Sequence, residues 1–169
     1  LLIDPGTYNV ATLGNNWSSG GVNNGITLRS DSSFGSIFDG DSAVGAMYDA
    51  DKVTSDGAYY EVVFNPPISC SSISLLGYAD VRDTGGGGNG GSVTFSINDQ
   101  TETYDDGTSS LRTFTATASQ LEKVRITQTT KGTAAFGQGL SQVIVDGEIL
   151  VDSGFGYSGF FLPFNPAAT

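Results

Sequence analysis

The chain has no histidine, one cysteine and few basic residues, and each shortage removes a class of function. Without histidine there is no Ser-His-Asp triad, no Cys-His dyad and no histidine-ligated metal site. The single Cys70 excludes an internal disulfide and a cysteine-rich zinc site. Seven Lys and Arg residues against 18 Asp and Glu give a net charge of −11. This charge argues against nucleic acid and anionic lipid as partners.

Long apolar runs and dense helix formers are also missing. No stretch approaches the 18 apolar residues of a membrane-spanning helix, so we expect no membrane insertion. Glycine supplies 24 of 169 residues, about twice its usual share, and no window is rich in the residues that helices need. The length suits one domain with a core of its own.

Short strands separated by turn residues predict the fold. Residues 92–97 alternate strictly, which points Val93, Phe95 and Ile97 inward. Asp146-Gly147 predicts a two-residue hairpin with a type I′ turn between strands 142–145 and 148–151. Further strands are predicted over residues 59–64, 68–76, 111–117 and 124–128. This pattern indicates an all-β protein, an antiparallel β-sandwich or jelly roll.

Local signals add further expectations. Pro66 and Pro67 lack backbone N–H groups, so strand 59–64 should end before them. Residues 15–21 are typical of a loop. Residues 8–10 and 26–28 are predicted as short edge strands, and only residues 119–123 have room for a helical turn.

Three regions are predicted along the chain. Residues 1–36 form a loop-rich arm with edge strands, residues 37–154 the β-sandwich, and residues 155–169 an aromatic tail. Such a tail is poorly suited to free solution. It either docks on a neighbouring subunit or folds back as a last edge strand of its own sandwich. The predicted interface residues are Phe155, Tyr157, Phe160, Phe161, Leu162 and Phe164.

An aspartate cluster offers a metal site or a set of turns. Asp39-Gly40-Asp41 supplies two carboxylates from a tight turn, which suits a structural calcium ion. The alternative is that aspartate favours turns and keeps the surface soluble. No cofactor is required by the sequence.

Four aromatic residues stand beside polar turn residues: Trp17, Tyr48, Tyr78 and Tyr104. Aromatic faces with a few polar groups form shallow sugar sites, so these residues are candidates for glycan binding. The alternative is that each of them caps the end of the core. The glycine-rich residues 83–91 are either a slack connector, which we favour, or a binding tip.

Catalysis is not predicted. A carboxylate-based glycosidase needs two acidic side chains at a defined separation. Glu61 and Glu102 lie on or near strands, but nothing in the sequence makes them a pair. We therefore expect the chain not to be an enzyme.

Residues 142–152, which read QVIVDGEILVD, resemble a segment of tail-fibre and virion proteins of tailed aquatic phages. Residues 38–41 (FDGD) and 160–168 (FFLPFNPAA) are similar to two further pieces of those proteins. The resemblance implies a virion-surface protein, a head decoration or a tail-fibre domain. Its partners would be other virion proteins and a host-surface glycan.

The arrangement is also similar to galactose-binding-type jelly rolls, in which an FDG[ND] loop often holds a structural calcium ion. The family's Thr-x-Trp is replaced here by Ala46-Met47-Tyr48. Together these observations predict a non-enzymatic virion structural or attachment module anchored by its aromatic tail. The alternative is a carbohydrate-binding module of a receptor-binding or secreted protein.

Overall fold

The computed structural model describes residues 10–12, 17–19, 25–43, 45–82, 91–132 and 137–152. These residues form eleven strands and two short 3₁₀ helices, which span Phe34–Phe38 and Ala50–Lys52. The strands are β1 (Val10–Thr12), β2 (Trp17–Ser19), β3 (Ala46–Tyr48), β4 (Ala58–Ser69), β5 (Ile73–Asp80), β6 (Ser92–Ile97), β7 (Gln100–Tyr104), β8 (Ser109–Ala116), β9 (Gln120–Thr130), β10 (Gln138–Val145) and β11 (Glu148–Val151). No helix among the described residues is long and apolar enough to cross a membrane.

The strands build two sheets. The first has the order β1-β11-β10-β5-β8, with β3 also paired to β10, and the second has the order β2-β4-β9-β6-β7. All pairings between these strands are antiparallel except that of β1 with β11. The predicted all-β, antiparallel β-sandwich is therefore confirmed.

Alternating burial explains why these segments form strands. Val93, Phe95 and Ile97 on β6 are fully buried, as their spacing predicts, and so are Ile73 and Leu75 on β5 of the other sheet. Side chains two apart share one face of a strand, so each apolar face covers the other across the core. The intervening residues of both strands form the outer faces of the sandwich.

The hairpin between β10 and β11 has the predicted turn. Asp146 and Gly147 both have positive φ, at 51° and 86°, as a type I′ turn requires. The Asp146 carboxylate also accepts the backbone N–H groups of Ser71 and Ser72 at 2.8 Å each. One residue therefore closes this hairpin and ties it to the turn between β4 and β5.

Replacing Asp146 tests this double role. We expect Asp146→Ala to lower the free energy of unfolding by about 2 kcal/mol, because the variant loses two charge-assisted hydrogen bonds and because alanine tolerates positive φ less well than aspartate. Urea unfolding followed by the fluorescence of the single tryptophan measures the loss. Asp146→Asn keeps an acceptor and tolerates this φ, so it should lose less; an equal loss would contradict the assignment.

Three local expectations were wrong. Strand β4 continues through Pro66 and Pro67 to Ser69, because its register with β9 shifts between Val63 and Ile68 and no ladder donor is needed there. The segment predicted as loop contains β2, which pairs with β4 at the edge of the second sheet. Residues 119–123, the one segment with room for a helical turn, instead lead into β9, which begins at Gln120.

Tyr60 joins the two sheets through a buried hydroxyl group. It lies on β4, donates a hydrogen bond to the Ala46 carbonyl at 2.5 Å and accepts one from the Leu140 N–H at 2.8 Å. These two residues pair with each other where β3 meets β10. At this junction a Cβ on Gly139 would lie 2.1 Å from the Ala46 carbonyl oxygen, so only glycine lets the strands approach.

The close approach of β3 to β10 makes a second prediction. Gly139→Ala should lower the free energy of unfolding by about 3 kcal/mol, at the upper end of overpacking costs, because backbone must move to admit the methyl group. Gly57→Ala is the control, since its φ is +77° but nothing lies within 4 Å of the added Cβ. That variant should lose about 1 kcal/mol through backbone conformation alone. Equal losses in thermal unfolding would contradict a steric role for Gly139.

Candidate functional site

One row of side chains crosses the outer face of the first sheet. Tyr78 on β5 pairs with Leu111 on β8 and with Gly139 on β10, and Gly139 pairs with Met47 on β3. Leu111 is 50% exposed, the one exposed large apolar side chain within the described residues. Met47, Tyr78 and Leu111 line an open groove of about 490 Å³, which we call the apolar groove. Its lining includes Arg29, Ser42, Met47, Tyr78, Leu111 and Ser141.

Arg29 forms one wall of the apolar groove. Its backbone N–H donates to the Met47 carbonyl at 2.9 Å, which holds the segment beside β3. A Cβ on Gly137 would lie 2.9 Å from Nη1 and 3.0 Å from Cδ of Arg29, so the arginine side chain lies directly over that glycine. The guanidinium binds Asp31 through two hydrogen bonds, from Nε at 3.2 Å and from Nη2 at 2.9 Å.

A second hollow shares Arg29 with the apolar groove. It also measures about 490 Å³ and is lined by Leu28, Arg29, Ser30, Asp31, Asp49 and Lys52, so we call it the charged hollow. The Lys52 ammonium pairs with the Asp49 carboxylate at 2.7 Å. Since Arg29 lines both spaces, the apolar groove and the charged hollow adjoin.

The chemistry of the apolar groove suits binding. Tyr78 presents an aromatic ring whose hydroxyl is held by the Ser109 hydroxyl. Ser42 and Arg29 also line the groove, whereas Ser141, a further lining residue, is only 1% exposed. Mostly apolar walls with a few placed polar groups are typical of small-ligand sites.

Of the four aromatic residues predicted to bind glycan, only Tyr78 lines the apolar groove. Tyr48 is fully buried and donates from its hydroxyl to Gln128 Oε1 at 3.1 Å. The expectation that Tyr48 is presented to a ligand was therefore wrong. Strand alternation explains the error, because on β3 Tyr48 points inward and its neighbour Met47 points outward.

Tyr104 is also enclosed rather than presented to solvent. It is 8% exposed, and its ring meets that of Phe95 edge-on at 5.0 Å between centroids. The Arg112 guanidinium carbon lies 5.2 Å from the centre of the Tyr104 ring. Tyr104 therefore caps the core, which is the alternative to glycan binding that the sequence left open.

Trp17 closes the sandwich on the side of β2. It is half-buried, its ring lies 4.8 Å from that of Phe38 between centroids, and its indole N–H donates to the Asp152 carboxylate. Because Trp17 belongs to one sheet and Asp152 directly follows β11 of the other, this contact fastens the two sheets. The polar group of the indole is thus already engaged within the protein.

The carboxylates of Asp39 and Asp41 accept hydrogen bonds from backbone N–H groups of their own loop. Asp39 accepts the Asp41 N–H and Asp41 accepts the Ala43 N–H, each at 2.8 Å, an arrangement typical of aspartate turns. Burial raises the pKa of the Asp39 carboxyl. Within the described ranges, no group of three or more His, Cys, Asp or Glu side chains is placed to hold a metal ion. Calcium binding by this loop stays a prediction.

The two carboxylates considered for catalysis lie on opposite sides of their sheet. Glu61 on β4 pairs with the outward-facing Arg125, and its carboxylate binds that guanidinium at 2.6 Å. Glu102 on β7 pairs with the inward-facing Phe95. These two residues therefore do not form an acid–base pair.

The other predicted sites fall outside the described residues. They are most of the glycine-rich segment, residues 83–90, and the aromatic tail residues Phe155, Tyr157, Phe160, Phe161, Leu162 and Phe164. The predictions made for these segments stay predictions. Conversely, the sequence did not indicate Arg29, Met47 or Leu111 as site residues. The outward position of Leu111 follows from alternation on β8 once the strand is known.

No protein-family model and no curated protein matches the chain. A function for it therefore depends on the chemistry of its own residues. The strongest local feature is the apolar groove together with the charged hollow, since the two share Arg29 in their linings.

Because several tyrosines are buried in the core, we predict that the free energy of unfolding falls at alkaline pH. Burial, followed by the nearby charge of Glu102, raises the pKa of Tyr104 to about 12. An unfolded chain releases a tyrosine proton from about pH 10. The folded chain retains it, so stability falls between pH 10 and 12. Burial raises the pKa of Tyr48 and Tyr60 as well, which adds to the loss.

Tyr104→Phe should flatten this dependence. The Tyr104 hydroxyl is buried without a hydrogen-bond partner among the described residues, so its removal should leave stability at pH 7 unchanged or higher. Urea midpoints from pH 7 to 11 measure both effects. A large loss at pH 7 with an unchanged alkaline slope would contradict this account.

Proposed function

We propose that the chain is a non-enzymatic attachment module of a virion surface, and that its apolar groove binds a glycan. The observation that carries the binding role is the apolar groove itself. Tyr78 supplies an aromatic face there, while Ser42 supplies a hydroxyl group and Arg29 a guanidinium group. A sugar ring has an apolar face and a rim of hydroxyl groups, so it matches both parts of this surface.

The virion role is supported by the chain segments that resemble phage structural proteins. Residues 142–152 form the β10–β11 hairpin and the residue after it, and this hairpin is tied to the rest of the sandwich by Asp146. A firmly held sheet with an outward groove suits a protein that must present a contact surface on a particle. The aromatic tail would anchor the module to neighbouring virion proteins.

Glycan binding is tested by substitution in the apolar groove. On a glycan array followed by calorimetry with the best ligand, Tyr78→Ala should weaken binding about tenfold, as expected for the loss of one aromatic stacking contact. Tyr59→Ala is the matched control, because Tyr59 lies on the other sheet with the Arg125 guanidinium 4.0 Å above its ring. Equal loss in both variants, or no binding by the unsubstituted protein, would contradict the proposal.

Localisation separates the virion module from its main alternative, a carbohydrate-binding module of a secreted protein. An antibody against this domain, labelled with gold, should decorate purified particles in electron micrographs. Label on the head indicates a decoration protein and label on the tail a fibre domain. Glycan binding without any label on particles that expose the epitope would favour the secreted module.

A further inference from the structure

We propose that the site binds an uncharged oligosaccharide of at least two adjacent units, one stacked on Tyr78 in the apolar groove and the next in the charged hollow, with Arg29 between them. This inference rests on the glycan-binding function proposed above. It adds the length of the ligand, its charge and the residues that hold its second unit.

The length follows from the two spaces. Each measures about 490 Å³, within the range of complete small-ligand sites. They meet at Arg29, whose position is fixed by its backbone bond to Met47, by the close fit over Gly137 and by the ion pair with Asp31. A single sugar unit stacked on the ring of Tyr78 would make no contact in the charged hollow. A chain of linked units reaches both spaces past one arginine.

The different linings assign a role to each space. The apolar groove offers Met47, Tyr78 and Leu111, which favour the apolar face of a ring. The charged hollow offers the Asp31 and Asp49 carboxylates as acceptors, and Arg29 and Lys52 as donors. Neighbouring donors and acceptors suit neighbouring sugar hydroxyls, since each hydroxyl both donates and accepts.

The charge balance selects an uncharged ligand. Both cations of the charged hollow are already paired, Arg29 with Asp31 and Lys52 with Asp49. Six of the seven Lys and Arg residues of the chain take part in ion pairs, and the net charge is −11. An acidic sugar would have to break a pair and approach a negatively charged protein. An uncharged sugar can bind with both pairs intact.

A length series of ligands tests the inference with the complete chain. The probes are neutral gluco- and galacto-oligosaccharides of one to four units, and oligogalacturonates of the same lengths. In calorimetry we expect affinity for the neutral series to rise at least tenfold from one unit to two and to level off by four. The acidic series should bind more weakly at every length.

Two sets of variants locate the second unit. Asp49→Asn combined with Lys52→Gln should weaken binding of the disaccharide more than binding of the monosaccharide, whereas Tyr78→Ala should weaken both. The control removes a comparable exposed ion pair elsewhere, Asp99→Asn with Lys123→Gln, whose charged atoms lie 3.4 Å apart, and should change neither affinity. Tryptophan fluorescence and thermal unfolding show that each variant is folded.

The possible results distinguish failure of this inference from failure of the proposed glycan binding. Equal affinity for one and two units, tighter binding of the acidic series, or an unchanged length dependence in the Asp49/Lys52 variant would overturn the inference and leave glycan binding in place. Binding of no sugar at any length would overturn both. Retention of a peptide or of a second copy of the chain in the groove, with no sugar bound, would overturn both as well.

Discussion

The Tyr60 hydroxyl is the contact on which the groove-bearing face depends. It donates to the Ala46 carbonyl and accepts from the Leu140 N–H, so a residue of one sheet holds two strands of the other. Burial of this hydroxyl raises the pKa of Tyr60 and keeps it protonated. Because β3 has only three residues, its backbone pairing with β10 contributes little stability by itself. The buried hydroxyl and the glycines at the junction keep β3 in place.

A second buried network stabilises the other end of β3. The Tyr48 hydroxyl and the Gln138 amide both donate to Gln128 Oε1. The Gln128 amide in turn donates to the carbonyls of Ser92 and Thr130. Both amide hydrogens and the oxygen of Gln128 are thus engaged, and directional bonds of this kind fix the arrangement of a core more strictly than apolar contacts do. With the side chain of Tyr48 fixed inward, Met47 must face outward, and this places it in the apolar groove.

Local structure could be predicted from the sequence where one or two residues determine it. Asp146-Gly147 determines a turn through its own backbone preferences, and the alternation of Val93, Phe95 and Ile97 determines which side of β6 is buried. The run through Pro66 and Pro67 was misread for the opposite reason. A register shift against β9 removes the need for their N–H groups, and this shift depends on a strand more than fifty positions away in the chain.

The site was less predictable than the fold because it depends on pairings between distant segments. Trp17, Tyr48, Tyr78 and Tyr104 all stand beside polar residues, yet their exposure is decided by strand alternation and by their partners. Arg29 reaches the groove only because Gly137, far along the chain, leaves room beneath its side chain. No local pattern carries that information, whereas the pairing of Tyr78 with Leu111 follows directly once β5 and β8 are set side by side.

The order of the strands places the last described residue away from the Leu111 side of the apolar groove. The described chain ends at Asp152, just beyond β11, where Trp17 and the Phe38 carbonyl hold that residue. In the first sheet β11 is separated from β8 by β10 and β5, so Asp152 follows a strand that does not neighbour the strand of Leu111. The strand that leads to Asp152 and the strand that carries the Leu111 side of the apolar groove are therefore three places apart in the first sheet.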